Sequence, residues 1–213
     1  MYIYLVRHGE TDWNVQRRTQ GIHDIPLTYK GINQANELAE CLVKESISHI
    51  YSSPLERAYI TASIIAEQIG LAPVKRNELQ EVNFGVWEGL THQQIEEKYP
   101  GQIALFRKDF SFFPENGESL YALEKRIDCF INYLQIKHIN ENDKILVVSH
   151  AYPIRMMIIK LMKLPIQHLW DFRIDNTGIS IIQIQSDNRR IICLNDTCHL
   201  NKLEVEEFGV CRK

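Results

Sequence analysis

The sequence predicts an α/β fold: a three-layer sandwich with a mostly parallel central sheet of about six strands, one antiparallel edge, and helices on both faces. Three observations carry this. Short apolar runs alternate with longer stretches of helical spacing, and turn residues fall at the junctions. At 213 residues, 45% of them hydrophobic, the chain suits one large core.

The strand candidates are Tyr2–Val6, Ile47–Tyr51, Lys144–Val148 and Ile179–Ile184, short apolar runs that look like buried strands. The helix candidates are Asn33–Lys44, Leu55–Ile69, Leu120–Ile136 and Ile154–Leu164. Within the third, Leu120, Leu123, Ile127 and Phe130-Ile131 recur at helical spacing and mark a core-facing stripe. Ser53-Pro54 offers an N-cap and then a proline at the first helical position, while Gly70 and Pro165 act as stops. Ile191–Leu194 follows the Ile179 run across Asp187-Asn188, which predicts a terminal hairpin and the antiparallel edge. Between these elements, residues 84–117 gather Trp87, Phe106, Phe110, Phe112 and Phe113 among prolines and glycines. This region reads as a cap or lid, helical near Thr91–Tyr99, on a single domain spanning residues 1–213.

Composition narrows the partners. Net charge is −3 and no run of Lys and Arg exceeds two residues, so neither a nucleic-acid nor a membrane surface is expected. Met1–Arg7 is too short and too early-charged for a signal peptide, no apolar stretch reaches the length of a membrane span, and a cytoplasmic protein is expected. The five cysteines (Cys41, Cys129, Cys193, Cys198, Cys211) lack a Cys-x-x-Cys pair, which predicts reduced thiols rather than a disulfide frame or zinc site. The chain is read as a monomer or homodimer.

The chemistry concentrates at strand ends. Tyr2–Val6 runs into Arg7-His8-Gly9, and Lys144–Val148 runs into Ser149-His150. Ligands of open parallel sheets bind beyond the carboxyl ends of strands, so two histidines arrive where a site belongs. Arg57 falls in the first turn of the helix after Ser52-Ser53-Pro54, a poor place for a cation unless an anion sits there too. Glu81 stands in a segment rich in large apolar side chains, and partial burial would suit it to donating a proton; Glu88 competes for that role. No carboxylate cluster suits magnesium. Weaker candidates are Arg17 and Arg18 for steering anions, His23 near the site entrance, and one ring of Phe106–Phe113 against a substrate.

Together, several motifs resemble the histidine phosphatase superfamily, also called phosphoglycerate mutase-like. They are Arg7-His8-Gly9-Glu10-Thr11 with Trp13-Asn14 and Gln20-Gly21; Pro26-Leu27-Thr28 with Gly31; Tyr51-Ser52-Ser53-Pro54 with Arg57-Ala58 and Thr61-Ala62; Phe84-Gly85 with Trp87-Glu88-Gly89; Gly117-Glu118-Ser119; and Val148-Ser149-His150 with Arg155. The resemblance implies a metal-independent enzyme without a cofactor that acts on a small phosphorylated substrate. His8 would form a phosphohistidine; Arg7, Arg57 and His150 would hold the phosphoryl oxygens; Glu81 would serve as general acid and then base. Asn14, Gln20, Gly21 and Ala151 would complete the phosphate site, with Ala151 standing where the family usually has glycine. The length and the Phe84–Gly89 stretch resemble the small phosphatase branch, with phosphoserine, α-ribazole phosphate or broad-specificity substrates. Phe84 departs from the phosphoserine phosphatases, which tend to carry histidine there. The tail Asn195–Leu200 resembles them, though His199 reads more readily as structural than as pocket-lining. A cofactor-dependent phosphoglycerate mutase is the alternative, and a non-catalytic phosphate-binding module a further one.

Overall fold

Side chains along β1 (Tyr2–Arg7) alternate between two cores, and that alternation sets the layers. Ile3 and Leu5 pack with Tyr51, Ile145, Val147 and Ile182, whereas Tyr4 and Val6 pack with Ile50, Leu146, Val148 and Ile179. Successive strand residues face opposite ways, so a strand covered on both sides reads as one apolar run. Each of these side chains contributes roughly 1.5–3 kcal/mol by leaving water.

In chain order the computed structural model has β1, α1 (Asp12–Val15), α2 (Tyr29–Leu42), β2 (His49–Ser52), α3 (Glu56–Ile69) and β3 (Val74–Lys75). There follow α4 (His92–Lys98), α5 (Gln102–Lys108), α6 (Leu120–Lys137), β4 (Lys144–Ser149), α7 (Ala151–Leu161), β5 (Ile179–Gln185) and β6 (Asn188–Asp196). The structure describes residues 1–138, 140, 142–185 and 188–200. The six strands lie in the order β3-β2-β4-β1-β5-β6. The first four are mutually parallel, and β5 runs antiparallel to both β1 and β6. Helices α2 and α3 cover one face, while α6 and α7 cover the other. This is the expected three-layer sandwich, mostly parallel with an antiparallel edge. Among the described residues, no helix is long and apolar enough to cross a membrane.

Several boundaries differ from the sequence expectation. Helix α7 begins at Ala151 rather than Ile154, because Pro153 lies in its first turn, where no N–H is needed. Helix α2 begins at Tyr29, its N-cap Thr28 accepting the Gly31 N–H at 3.0 Å. Ser53 is not the cap of α3; Leu55 holds that position without a side-chain bond, and the Ser53 hydroxyl lies 2.8 Å from His150 Nε2. Strand β3, two exposed residues, is too short to leave a pattern. Strand β6 extends well beyond Ile191–Leu194. Asp187 and Cys211 lie outside the described residues.

Residues 84–117 hold a short 3-10 turn at Gly85–Trp87 and then α4 and α5. Phe84 packs edge-on against Tyr152 of α7 at 5.2 Å between centroids, and Phe106 lies 6.2 Å from Trp170. This aromatic seam fastens the region to α7, directly beside His150.

Candidate active site

The pairing of β1 with β4 continues for one rung past the strand, the His8 N–H donating to Ser149 O at 3.0 Å. His8 and His150 therefore leave neighbouring strands side by side, their rings 5.1 Å apart between centroids. The Nδ1 atom of His8 lies 2.7 Å from Gly9 O, and a carbonyl only accepts, so Nδ1 carries the hydrogen and Nε2 keeps its lone pair. His8 is 2% exposed. Burial first, then the charges of Arg57 and Arg7, hold its pKa well below the imidazole value, which leaves it neutral near pH 7. Gly9 is required by a close approach: a Cβ there would strike the backbone carbonyl of Gly31.

Arg57, the second residue of α3, is wholly buried. Its Nη1 donates to His23 O at 2.6 Å and its Nη2 to Gly21 O at 2.7 Å, while Nε is buried without a partner. Burial pulls its pKa down to about 10, so it remains a cation in neutral solution. Arg7 is held by Nη1 donating to Ile174 O at 2.9 Å, and its buried Nε is also unpartnered. His150 presents Nε2 to Ser53, while its buried Nδ1 has no partner. Burial, followed by Arg57 and His8, keeps this second imidazole well below its usual pKa as well. Buried polar atoms are normally paired, so three orphans on Arg7, Arg57 and His150 mark a place prepared for an acceptor-rich ligand.

Glu81 faces the same place, and one of its oxygens accepts the Val82 N–H at 3.0 Å. Burial raises its pKa against the opposing pull of that N–H, Arg57 and Arg7. Glu88 is differently engaged. Its Oε1 accepts N–H groups from Ile22 and Phe84, both at 3.0 Å, and its Oε2 pairs with His23.

A cavity of about 210 Å³ joins these groups, lined by Arg7, His8, Asn14, Gln20, Gly21, Arg57, Glu81 and Ala151 of the expected residues. His150 is not among the lining residues, though its ring neighbours that of His8, which is. The Asn14 Oδ1 already accepts from Thr11 N at 3.1 Å, Thr11 Oγ1 at 3.0 Å and Asn176 Nδ2 at 3.2 Å, which leaves its NH₂ as the available donor. Gln20 Oε1 is buried without a partner. Gly21 takes a φ of +55°, and a Cβ there would run into the Glu88 carboxylate. Ala151 opens α7, so the positive end of that helix points at the cavity. Arg17, Phe84 and Phe106 also line it.

The model of the histidine phosphatase superfamily (branch 1) matches residues 3–197. The chain belongs to that superfamily. This histidine phosphatase is 36% identical over 205 residues to "Phosphoserine phosphatase 1" of Hydrogenobacter thermophilus, covering 96% of each chain. It is 34% identical over 216 residues to a Yersinia pestis protein named "Probable phosphoglycerate mutase GpmB", covering 98% of this chain and 99% of the other. The α-ribazole phosphatase of Shigella flexneri superposes with a TM-score of 0.84 at 32% identity, over 92% of this chain and 97% of that one. The enzyme class expected from the sequence, a phosphatase, is the class of the superfamily and of two of these three relatives.

Several expected residues of this histidine phosphatase lie off the cavity. His23 is exposed, lies 5.6 Å from the Trp13 ring and is tied to Glu88. His199 is buried with Nε2 at 3.1 Å from Thr177 Oγ1, a packing position. Arg18 lines the cavity, yet is pinned to Gln16 and to Gly89 O. Phe110, Phe112 and Phe113 do not reach it. Other residues had no sequence signal. Asn176 bridges His8 O at 2.9 Å and Gly9 O at 3.1 Å, but Asp175-Asn176-Thr177-Gly178 reads only as a turn. Tyr152, Arg107 and His92 line the outer cavity from separate elements, with no shared spacing.

Proposed function

We propose that this phosphatase hydrolyses a small phosphomonoester through a phosphohistidine on His8. The observation that carries the reading is the His8 tautomer: Nδ1 is tied to Gly9 O, so the nucleophilic lone pair on Nε2 is left free in a cavity that buried Arg57 and half-buried Arg7 also line. A neutral imidazole attacks phosphorus, the Nε2–P bond forms and the ester P–O bond breaks. Glu81, whose pKa burial raises, gives its proton to the leaving oxygen. Its carboxylate then takes a proton from water, whose oxygen attacks the phosphoryl group and returns His8 to its starting state. Arg7, Arg57, His150 and the Asn14 NH₂ meet the charge on the phosphoryl oxygens, a preorganised set of donors that needs no metal. Residues 84–117 act as a lid that shapes the pocket for the alcohol, with the whole chain serving as one catalytic domain.

Phosphoserine and α-ribazole phosphate are the substrates suggested by the relatives. The mutase reading is kept open by the GpmB likeness and predicts phosphoglycerate exchange that depends on a bisphosphate primer. A screen of phosphoserine, phosphoglycerates, sugar phosphates and α-ribazole phosphate decides between them. Hydrolysis without primed exchange is expected. With labelled substrate, quenched enzyme should carry acid-labile phosphate on His8, and His8→Ala should lose both label and at least about 10³-fold in kcat. Full turnover by His8→Ala would overturn the mechanism. Treatment with EDTA should leave kcat unchanged.

A further inference from the structure

We propose that His49, His138 and Asp143 form a site for a divalent transition-metal cation of the Zn²⁺ kind, at the amino-terminal ends of β2 and β4. These residues come from three places: the first residue of β2, the C-cap of α6 and the residue before β4. One potential ligand atom from each lies within 4.8 Å of the other two. No local sequence signature joins them, which is why the expectation of no metal, argued from cysteine and carboxylate spacing, passed over them.

The geometry fits a metal better than a hydrogen bond. His138 Nδ1 lies 3.4 Å from Asp143 Oδ2, long for a charge-assisted bond. Two ligands bound at about 2.1 Å in a tetrahedral site stand about 3.4 Å apart. The three ligand atoms lie within 4.8 Å of one another, so side-chain shifts of about an ångström would complete the set. The His49 ring already meets that of His138 edge-on, 4.3 Å between centroids.

The proton inventory also fits. Ser48 Oγ donates to Lys144 O at 3.1 Å, so its contact with His49 Nδ1, also 3.1 Å, is one in which the imidazole donates. Nε2 of His49 is then bare and can ligate. His138 Nε2 lies 2.8 Å from the Tyr51 hydroxyl, which in turn lies 3.5 Å from that of Tyr133. If Nε2–H donates to Tyr51 and Tyr51 turns its own hydrogen to Tyr133, Nδ1 of His138 is released as a ligand. Such an outer hydrogen bond is the usual support of a metal-bound imidazole. His49 borders a cleft of about 190 Å³, and a tetrahedral site with three protein ligands would take water as its fourth.

The six residues of β4 separate this cluster from His150, about 20 Å along the strand, so its role is to brace the far end of the sheet. The test uses full-length protein stripped with EDTA and dialysed, then titrated calorimetrically with ZnCl₂. Wild type should bind about one equivalent that His49→Ala and Asp143→Asn each weaken at least tenfold. Zinc at a hundred times its wild-type Kd should raise the wild-type Tm by about 5 °C or more and that of either variant by no more than about half as much. Phosphatase kcat should be the same with and without zinc in wild type and in His49→Ala. His138→Ala is avoided because its buried ring also supports Tyr51. Equal zinc affinity in wild type and both variants, or no binding by wild type, would overturn the proposal.

Discussion

At the scale of single residues, the site works through displaced proton affinities. Burial raises the Glu81 pKa and lowers that of His8, which widens the range of pH in which the proposed acid is protonated while the proposed nucleophile is not. The phosphorylation step should therefore follow a bell-shaped profile in kcat/KM with its optimum on the acid side of neutrality. Activity falls as pH rises through the Glu81 value and also as it drops far enough to protonate His8. Glu81→Gln should lose about 10²–10⁴-fold in kcat with a poor leaving group and flatten the alkaline limb. An unaltered limb in that variant would assign it to another group, the substrate phosphate included. Residue identity was legible where strand ends met charge: Arg7, His8, Arg57 and His150 declare themselves by where they fall. The separation of Glu81 from Glu88 was not, because both stand in one apolar stretch and only the fold shows that Glu88 has both oxygens engaged, by two backbone N–H groups and His23.

At the scale of elements, the two loops carrying residues 20–23 and 84–88 behave as one piece. Glu88 binds N–H groups on both, and the carbonyls of Gly21 and His23 clamp Arg57. Glu88→Ala leaves the Phe84 N–H unpaired at a cost of about 1–3 kcal/mol, a fall of about 2–10 °C in Tm. It also slackens the clamp, so KM should rise roughly tenfold. Glu88→Gln keeps an acceptor at that point and should recover most of the loss; steady-state kinetics on the pair gives the answer. An unchanged KM in Glu88→Ala would show that Arg57 does not depend on this brace. None of this is readable in the chain, since a two-loop clamp has no periodicity. Long elements such as α6 were readable because one face repeats every turn, whereas β3, α1 and α5 are too short for a period to show.

At the scale of the whole molecule, keeping two imidazoles buried and neutral sets a limit in acid. Unfolded histidines take up protons below about pH 6.5 while His8 and His150 in the folded chain do not. Stability should therefore be full above pH 6.5 and fall below it by up to about 1.4 kcal/mol per pH unit for each histidine. Glu81 acts in the opposite sense, its contribution being lost as pH rises through its raised value. Urea midpoints between pH 7 and 5 should drop more steeply for wild type than for His150→Gln; equal slopes would remove His150 from this account. The overall architecture was legible because both sheet faces are covered, and that leaves apolar runs in the middle of β1 and β4.

The position of β1 in the sheet has a consequence for how the enzyme comes into being. The strand made first is clasped between the two made much later: Tyr2 pairs with Lys144 on one side and with Gln183 on the other. Such distant pairings must close very long loops before they return any stabilisation, and chains dominated by them fold slowly. During synthesis, the segment bearing His8 waits without its partners until most of the chain has emerged. The cavity around His8 is thus completed late, and an incomplete chain ending before β4 holds His8 without the strand partner that sets it beside His150.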